Sequence, residues 1–292
     1  MKVSLVVATL HRTAEVERLL RSLTMQTVAP HEVILVDQNA DDRIDRLVAG
    51  FAENLNIRVV KSPPYGVNFA RNLGFRQAGG DIVGFPDDDC HYPPDVIHRV
   101  VTKFSSGRAG AISGLIVDET GEPSVGRWER NSCRITRGNV WTTTVESAAF
   151  VRRNLFDKVG GFDEAIGPGA PSIFGAHEID DLFLRLLKLD AELYFVREVL
   201  ILHAASVPAY NADSLRRAYR YGAGLGYVLR KHGFPVTVLA HFILRSLGGA
   251  AISAVKRDFS QSFFYLSVAR GRLTGWLRFP ARQAHTAPKA RS

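Results

Sequence analysis

The chain has 292 residues, 46% of them hydrophobic and 23% charged, with 25 Gly and 13 Pro. These proportions exclude a disordered, collagen-like or disulfide-stapled protein, and two distant cysteines, Cys90 and Cys133, fit a reducing compartment. The net charge of +8 is uneven: from Ser206 onward there are 14 Lys and Arg against 2 Asp and Glu, so the first 205 residues are mildly acidic and the back end suits an anionic partner.

Residues 3–8 (VSLVVA) form a continuous apolar, β-branched run, which predicts a strand covered on both faces rather than a signal peptide. Thr13 can cap a helix carrying Val16, Leu19, Leu20 and Leu23 on one stripe. Strands follow at 33–36 and 57–60, helices at 43–51 and 67–78, and a fourth strand at 82–85 runs into Pro86-Asp87-Asp88-Asp89. Strand–helix repetition with short connections predicts right-handed crossovers and a parallel sheet, with ligands at the carboxyl ends of the strands. Asp37 and the Asp87–Asp89 run fall at such ends.

Beyond residue 105 the pattern loosens. Strands are expected at 110–117 and 145–151, around a turn-rich stretch containing Trp128, Arg130 and Trp141. A short helix at 152–159 ends at Gly160-Gly161, a strong helix covers 178–189, and two strands lie at 193–196 and 199–203. Residues 212–277 read as mostly helical and 280–292 as a loose tail. The resulting division is 1–205, 206–279 and 280–292.

Motif searching excludes several chemistries. There is no GxGxxG, Walker loop, zinc-type cysteine spacing or serine nucleophile elbow. His177-Glu178 begins like HExxH, but Asp181 stands where the second histidine is required. Asp87-Asp88-Asp89 is the sharpest signal. Adjacent carboxylates repel unless a cation lies between them, so the run is either a solvated turn or a divalent-cation site. Alternation along a strand predicts Asp87 and Asp89 pointing together, with Asp88 opposite.

VSLVVATLHR, EVILVDQNADD, YGVNFARN, IVGFPDDDC, VGGFDEAIG and EIDDLFLRLL, ending in ILH, together resemble a family 2 glycosyltransferase of the GT-A type over roughly residues 1–205. The resemblance implies an α/β fold, with a nucleotide-binding half and an acceptor-binding half around a mixed, mainly parallel sheet. It also implies inverting transfer from a nucleotide-sugar donor to a saccharide or polyprenyl-linked acceptor. Thr9 and Arg12 would lie against the nucleotide, and Asp37 would accept from the base, although it also reads as a turn-former. Gly66, Arg71 and Asn72 would approach the donor, Arg71 equally reading as a helix-surface residue. Asp87, Asp88 and Asp89 would face the diphosphate, with Asp87, Asp89 and His203 handling Mn2+ or Mg2+; His203 alone fits core packing as well. Glu178 and Asp181, one helical turn apart, would supply the base that takes the acceptor proton. Ile179 stands where the family usually has Asp, and helix N-terminal carboxylates also have a structural reading.

Residues 212–232 resemble the tail of bacterial members that build surface polysaccharides. Residues 234–255 are apolar but interrupted by His241, Arg245 and a Gly pair, which favours an in-plane basic amphipathic helix over a span. The expected place is the cytoplasm, peripheral on the inner face of the plasma membrane. A helix packed on the catalytic domain, a sugar nucleotidyltransferase and a non-catalytic GT-A binding protein are the alternatives. A nucleic-acid partner is not expected, because the basic excess carries no recognisable module.

Overall fold

A computed structural model of the chain describes residues 1–124, 126–203 and 210–279. It comprises two units, one of Met1–Glu164 with Ile179–Ser206 and one of Ala165–Glu178 with Val207–Ser292. The expected boundary after residue 205 and the tail at 280–292 lie outside the described residues.

The first unit opens with β1 (Val3–Thr9), α1 (Ala14–Thr24), β2 (Glu32–Asp37), α2 (Arg43–Ala49), β3 (Ile57–Lys61), α3 (Val67–Phe75) and β4 (Ile82–Gly84). The first two strands are almost wholly buried, as their unbroken apolar runs require. β1 pairs in parallel with β2 and β4, and β2 with β3. Registration puts Thr9, Asp37 and Lys61 side by side at the carboxyl ends. α3 lies close on the sheet because Gly74 has no side chain: a Cβ there would sit 2.5 Å from Val6 Cγ1 and 2.8 Å from Val36 Cγ2.

One helix was not anticipated, α4 (Val96–Ser105), which buries Val96, Ile97, Val100 and Phe104 at helical spacing. Pro93-Pro94 masks its start, since the residue before a proline is steered away from helix. The chain continues through β5 (Ala109–Val117), β6 (Cys133–Arg134), β7 (Ala149–Arg152), α5 (Arg153–Lys158), α6 (Glu178–Leu187) and β8 (Glu192–Leu202). Residues 146–148 form a tight 3-10 turn, so the strand expected from 145 starts at Ala149.

The eight strands order as β3-β2-β1-β4-β7-β5-β8-β6. β7 runs antiparallel to β4 and β5, and β6 antiparallel to β8, which makes the sheet mixed and mainly parallel. The two strands expected at 193–196 and 199–203 are one. Arg197-Glu198, read as a break, is absorbed by a register shift between Ser113 and Leu115, where Gly114 lets the Val199 backbone pass close.

The second unit is helical, with α7 (Ala212–Lys231), α8 (Val236–Val255) and α9 (Phe259–Leu277). Asn211 accepts from Ser214 N and Asp258 from Gln261 N, each at 2.9 Å, so α7 and α9 carry side-chain N-caps. α7 and α9 meet through glycines: a Cβ on Gly222 or Gly226 would strike the backbone at Val268 or Arg272, and one on Gly271 or Gly275 would strike Tyr219 or Ala223. Arg272 donates to Phe242 O and Ser246 Oγ. Burial, with neighbouring Arg245, brings its guanidinium down to about 10. α8 is long and apolar enough to cross a membrane by length and composition alone.

Candidate active site

The row at the strand ends is built around Asp37, whose side chain is fully buried. Its Oδ1 accepts from Asn39 N at 2.9 Å and Asn39 Nδ2 at 2.7 Å, and its Oδ2 from Lys61 Nζ at 2.7 Å. Lys61 also reaches Asp45 at 2.7 Å, and these two hydrogen bonds raise its ammonium above the ordinary lysine value. The charge presented to solvent at the end of β2 and β3 is therefore Lys61, half-exposed, rather than Asp37. Asn39 Oδ1 in turn accepts from His11 N at 2.7 Å, and Gln38 N donates to Thr9 O at 3.0 Å, tying the loop after β1 to the loop after β2. His11 takes φ 63° in this loop.

β4 stops at Gly84, so Asp87–Asp89 is not strand but a turn, closed by Cys90 N donating to Asp87 O at 3.2 Å. Alternation therefore does not govern these side chains. Asp88 and Asp89 converge instead: Arg12 Nη1 lies 2.5 Å from Asp88 Oδ1 and 2.6 Å from Asp89 Oδ2. Asp87 turns to Arg71, with Nη2 to Oδ1 at 2.7 Å. The repulsion that the triple carboxylate poses is thus relieved by two arginines of the chain itself.

Asp89 also meets His203 Nε2 at 3.3 Å, where β8 ends. Burial opposes charge on both carboxylates of the Arg12 cluster. For Asp88 burial prevails and raises the carboxyl; for Asp89 the hydrogen bond from His203 and the charge of Arg12 outweigh it and hold the carboxyl low. Ligand atoms of Asp89, Cys90 and His203 lie within 4.8 Å of one another. The carboxylate and imidazole suit Mn2+ better than Mg2+ by donor softness and fit a divalent ion, whereas burial pushes the Cys90 thiol up, away from the thiolate that would ligate.

A second cluster surrounds Arg71, which is almost fully buried and lies 5.5 Å from the centre of the Phe162 ring. Glu146, in the 3-10 turn before β7, is a member that sequence reasoning missed. Burial, with the charges of Asp87 and Asp180 outweighing the pull of Arg71, brings its carboxyl up to about 7. Asp180 Oδ1 accepts from Thr144 Oγ1 at 2.7 Å. No spacing in the sequence links 146 to 71, 87 and 180; only the fold does.

Other expected residues are placed elsewhere. Gly66 opens α3 at φ 104°, a conformation that needs glycine. Asn72 is a clamp on the loop after Gly161: its Nδ2 donates to Phe162 O and Glu164 Oε1, and its Oδ1 accepts from Phe162 N at 2.8 Å. Thr9 is buried at the end of β1. Glu178 is buried at the start of α6. Asp181 is fully buried and its Oδ2 pairs with Arg185 Nε at 2.9 Å.

A mixed, mainly parallel sheet with carboxylates and basic groups gathered at its strand ends is the frame of a nucleotide-binding transferase of the GT-A kind. The model of glycosyl transferase family 2 matches residues 4–161, more than half of the chain, and the protein belongs to that family. The uncharacterized glycosyltransferase YwdF of Bacillus subtilis is 28% identical over 169 residues, which are 56% of this chain and 62% of YwdF. The beta-monoglucosyldiacylglycerol synthase of Synechocystis is 30% identical over 150 residues, 46% of this chain and 31% of that enzyme. The chain thus spans less than two thirds of either relative's length. Among solved structures, the mannosyltransferase PcManGT of Pyrobaculum calidifontis, in complex with GDP-Man and Mn2+, superposes with a TM-score of 0.65 at 18% identity, covering 95% of this chain and 88% of that one. It shares the fold.

Proposed function

We propose that this protein transfers a sugar, with inversion, from a nucleotide-sugar donor to a saccharide or polyprenyl-linked acceptor at the cytoplasmic face of an anionic membrane. The observation that carries the reading is the convergence of Arg12, Asp88, Asp89 and His203 at strand ends of a family 2 glycosyltransferase fold. A neighbour of this fold holds GDP-Man and Mn2+, and one relative is named for a glycolipid; both support the donor and acceptor classes.

In this reading the loop from Thr9 to Arg12 lies along the nucleotide, held by Asn39, while Asp37 orients Asn39 and Lys61 beside the base and ribose. Gly66 leaves room for the donor, and Asn72 fixes the loop at 162–164. Asp89 and His203, with Cys90 adjacent and Asp87 in support, would hold Mn2+ or Mg2+. A bound divalent ion would neutralise charge developing on the departing nucleoside diphosphate. Arg12 and Arg71 position Asp87–Asp89. The acceptor proton goes to a carboxylate that opens α6, Glu178 or Asp181. Asp181 would have to share the oxygen it gives to Arg185. The basic C-terminal helices bring the protein to the membrane.

The test is nucleotide release from a panel of nucleotide-sugars with and without Mn2+ or Mg2+. Metal-dependent release that is lost in Asp89→Ala is expected. Release that persists in Asp89→Ala with chelator removes the metal role, and no release from any donor removes the transferase reading.

A further inference from the structure

Among the described residues, fifteen large hydrophobic side chains are exposed, and eleven of them belong to the helical second unit. Their arrangement is regular. On α9, Phe259, Phe263, Leu266, Leu273 and Leu277 are all exposed, and spacings of four, three, seven and four residues put them on one face. On α8 the buried positions are Leu239, Ser246, Ala250 and Ser253, whereas Leu244, Leu247, Ile252 and Val255 face outward.

The polar groups go inward. Ser253 Oγ donates to Gln261 Oε1 at 2.6 Å, Gln261 Nε2 to Tyr210 OH at 2.7 Å, and Arg272 Nη1 to Ser246 Oγ at 2.6 Å. This is the reverse of a helix pair meant for water, where apolar stripes are buried and serines face out. It is the polarity expected of helices whose outer face meets hydrocarbon, and the facing Gly222/Gly226 and Gly271/Gly275 pairs are the small-residue packing such helices use.

Two further features choose the occupant. Residues 210–279 carry eleven Lys and Arg against Asp213 and Asp258, of which Asp258 caps α9 and Asp213 pairs with Arg216. Lys256 and Arg257 are exposed at the α8–α9 turn. Cations around an apolar face complement anionic lipid. Arg245 and Arg270 are also exposed, near the middle of α8 and α9. At the centre of a bilayer both would be costly, while at the interface their long stems let the charge reach headgroups.

We propose that the α8–α9 pair is an in-plane lipid anchor, whose stripe of Phe259, Phe263, Leu266, Leu273 and Leu277 enters the facing leaflet of an anionic phospholipid bilayer without crossing it. This rests on the reading of a membrane-surface transferase and names the residues that meet the lipid.

The full chain is floated with vesicles of phosphatidylcholine alone or of phosphatidylcholine with phosphatidylglycerol, and donor hydrolysis is measured on the same samples. Wild type should float with the anionic vesicles and be released by high salt. The exposed pair Phe263→Glu/Leu266→Glu should lose roughly tenfold or more of that binding, with helix content, Tm and hydrolysis kept. Lys256→Gln/Arg257→Gln should weaken binding less and flatten its salt dependence. Flotation of Phe263→Glu/Leu266→Glu equal to wild type overturns the lipid stripe. So does a stripe variant that turns a wild-type dimer into a monomer by light scattering without altering flotation, since a second copy then covers the face. Release by detergent alone overturns the in-plane geometry. Hydrolysis without flotation removes the anchor and leaves the transferase; flotation without hydrolysis from any donor does the opposite.

Discussion

The two units sort their residues by opposite rules. In the first, large apolar side chains fill the sheet and its covering helices, and charged groups are held in named pairs at strand ends, such as Arg12 with Asp88 and Asp89 or Arg71 with Asp87. In the second, serines and an arginine lie between helices while leucines and phenylalanines face out. Hydrophobic burial organises the first unit; close helix contact through glycine organises the second. Composition alone does not distinguish a core helix from a lipid-facing one. The direction in which polar side chains point does.

The largest expected effect tests whether the carboxylates that open α6 carry the chemistry. Glu178→Gln or Asp181→Asn, whichever removes the base, should lower transfer by roughly two to four orders of magnitude with donor affinity unchanged by calorimetry. If only Asp181→Asn weakens Tm, its bond to Arg185 is structural. If both variants transfer at the wild-type rate, Asp163 in the loop after Gly161 is next to be tried.

Somewhat smaller is the contrast within the acidic turn. Asp89→Ala removes one partner from both Arg12 and His203 and should cost roughly two to three orders of magnitude in turnover. Asp88→Ala leaves Arg12 on Asp89 and should cost about tenfold, read from rates across a Mn2+ titration.

Glycine substitutions sharpen the contrast in packing. Gly74→Ala presses on Val6 and Val36 and should destabilise by about 1–3 kcal/mol. Gly226→Ala meets backbone at Arg272 and Trp276 rather than side-chain tips, and backbone yields less, so its loss should be larger. Differential calorimetry of both variants decides the order.

The smallest expected effect concerns pH. Burial brings the Glu146 carboxyl up to about 7 from an ordinary 4.5. Between those values the folded state keeps a proton that the unfolded state has released, so stability falls as pH rises through the window. The loss is complete above about pH 7. Glu146→Gln should remove this slope, so urea midpoints at pH 5 and pH 8 should differ less than in wild type.

Much of the first unit was legible in sequence because parallel strands buried on both faces leave unbroken apolar runs, as in β1 and β2. The strand-end carboxylates were legible for the same reason, since the ends of such runs are where ligands gather. The pairing of those carboxylates was not. Arg12 and Asp88 are 76 positions apart, and no periodicity reports a contact of that separation. Asp88 and Asp89 do not oppose each other because strand alternation ends with β4 at Gly84. β8 looks like two pieces in sequence because a bulge imitates a break. The apolar run of α8 was plain, but its polarity reversal appears only when Ser246 and Ser253 are seen to face inward.

His11 gives the loop after β1 a thermodynamic character of its own. A residue with a side chain at φ 63° carries about 1–2 kcal/mol of backbone strain, and the hydrogen bond from its N–H to Asn39 holds it there. His11→Gly would release much of that strain while giving the unfolded chain extra freedom, two changes of similar size and opposite sign. The melting curve would then barely move. Yet the ensemble of the loop would widen, and Arg12, one residue on, would spend less time between Asp88 and Asp89. At this position a substitution that is silent in stability would be loud in the geometry of the acidic turn, because the protein keeps its slack low by holding one residue under tension.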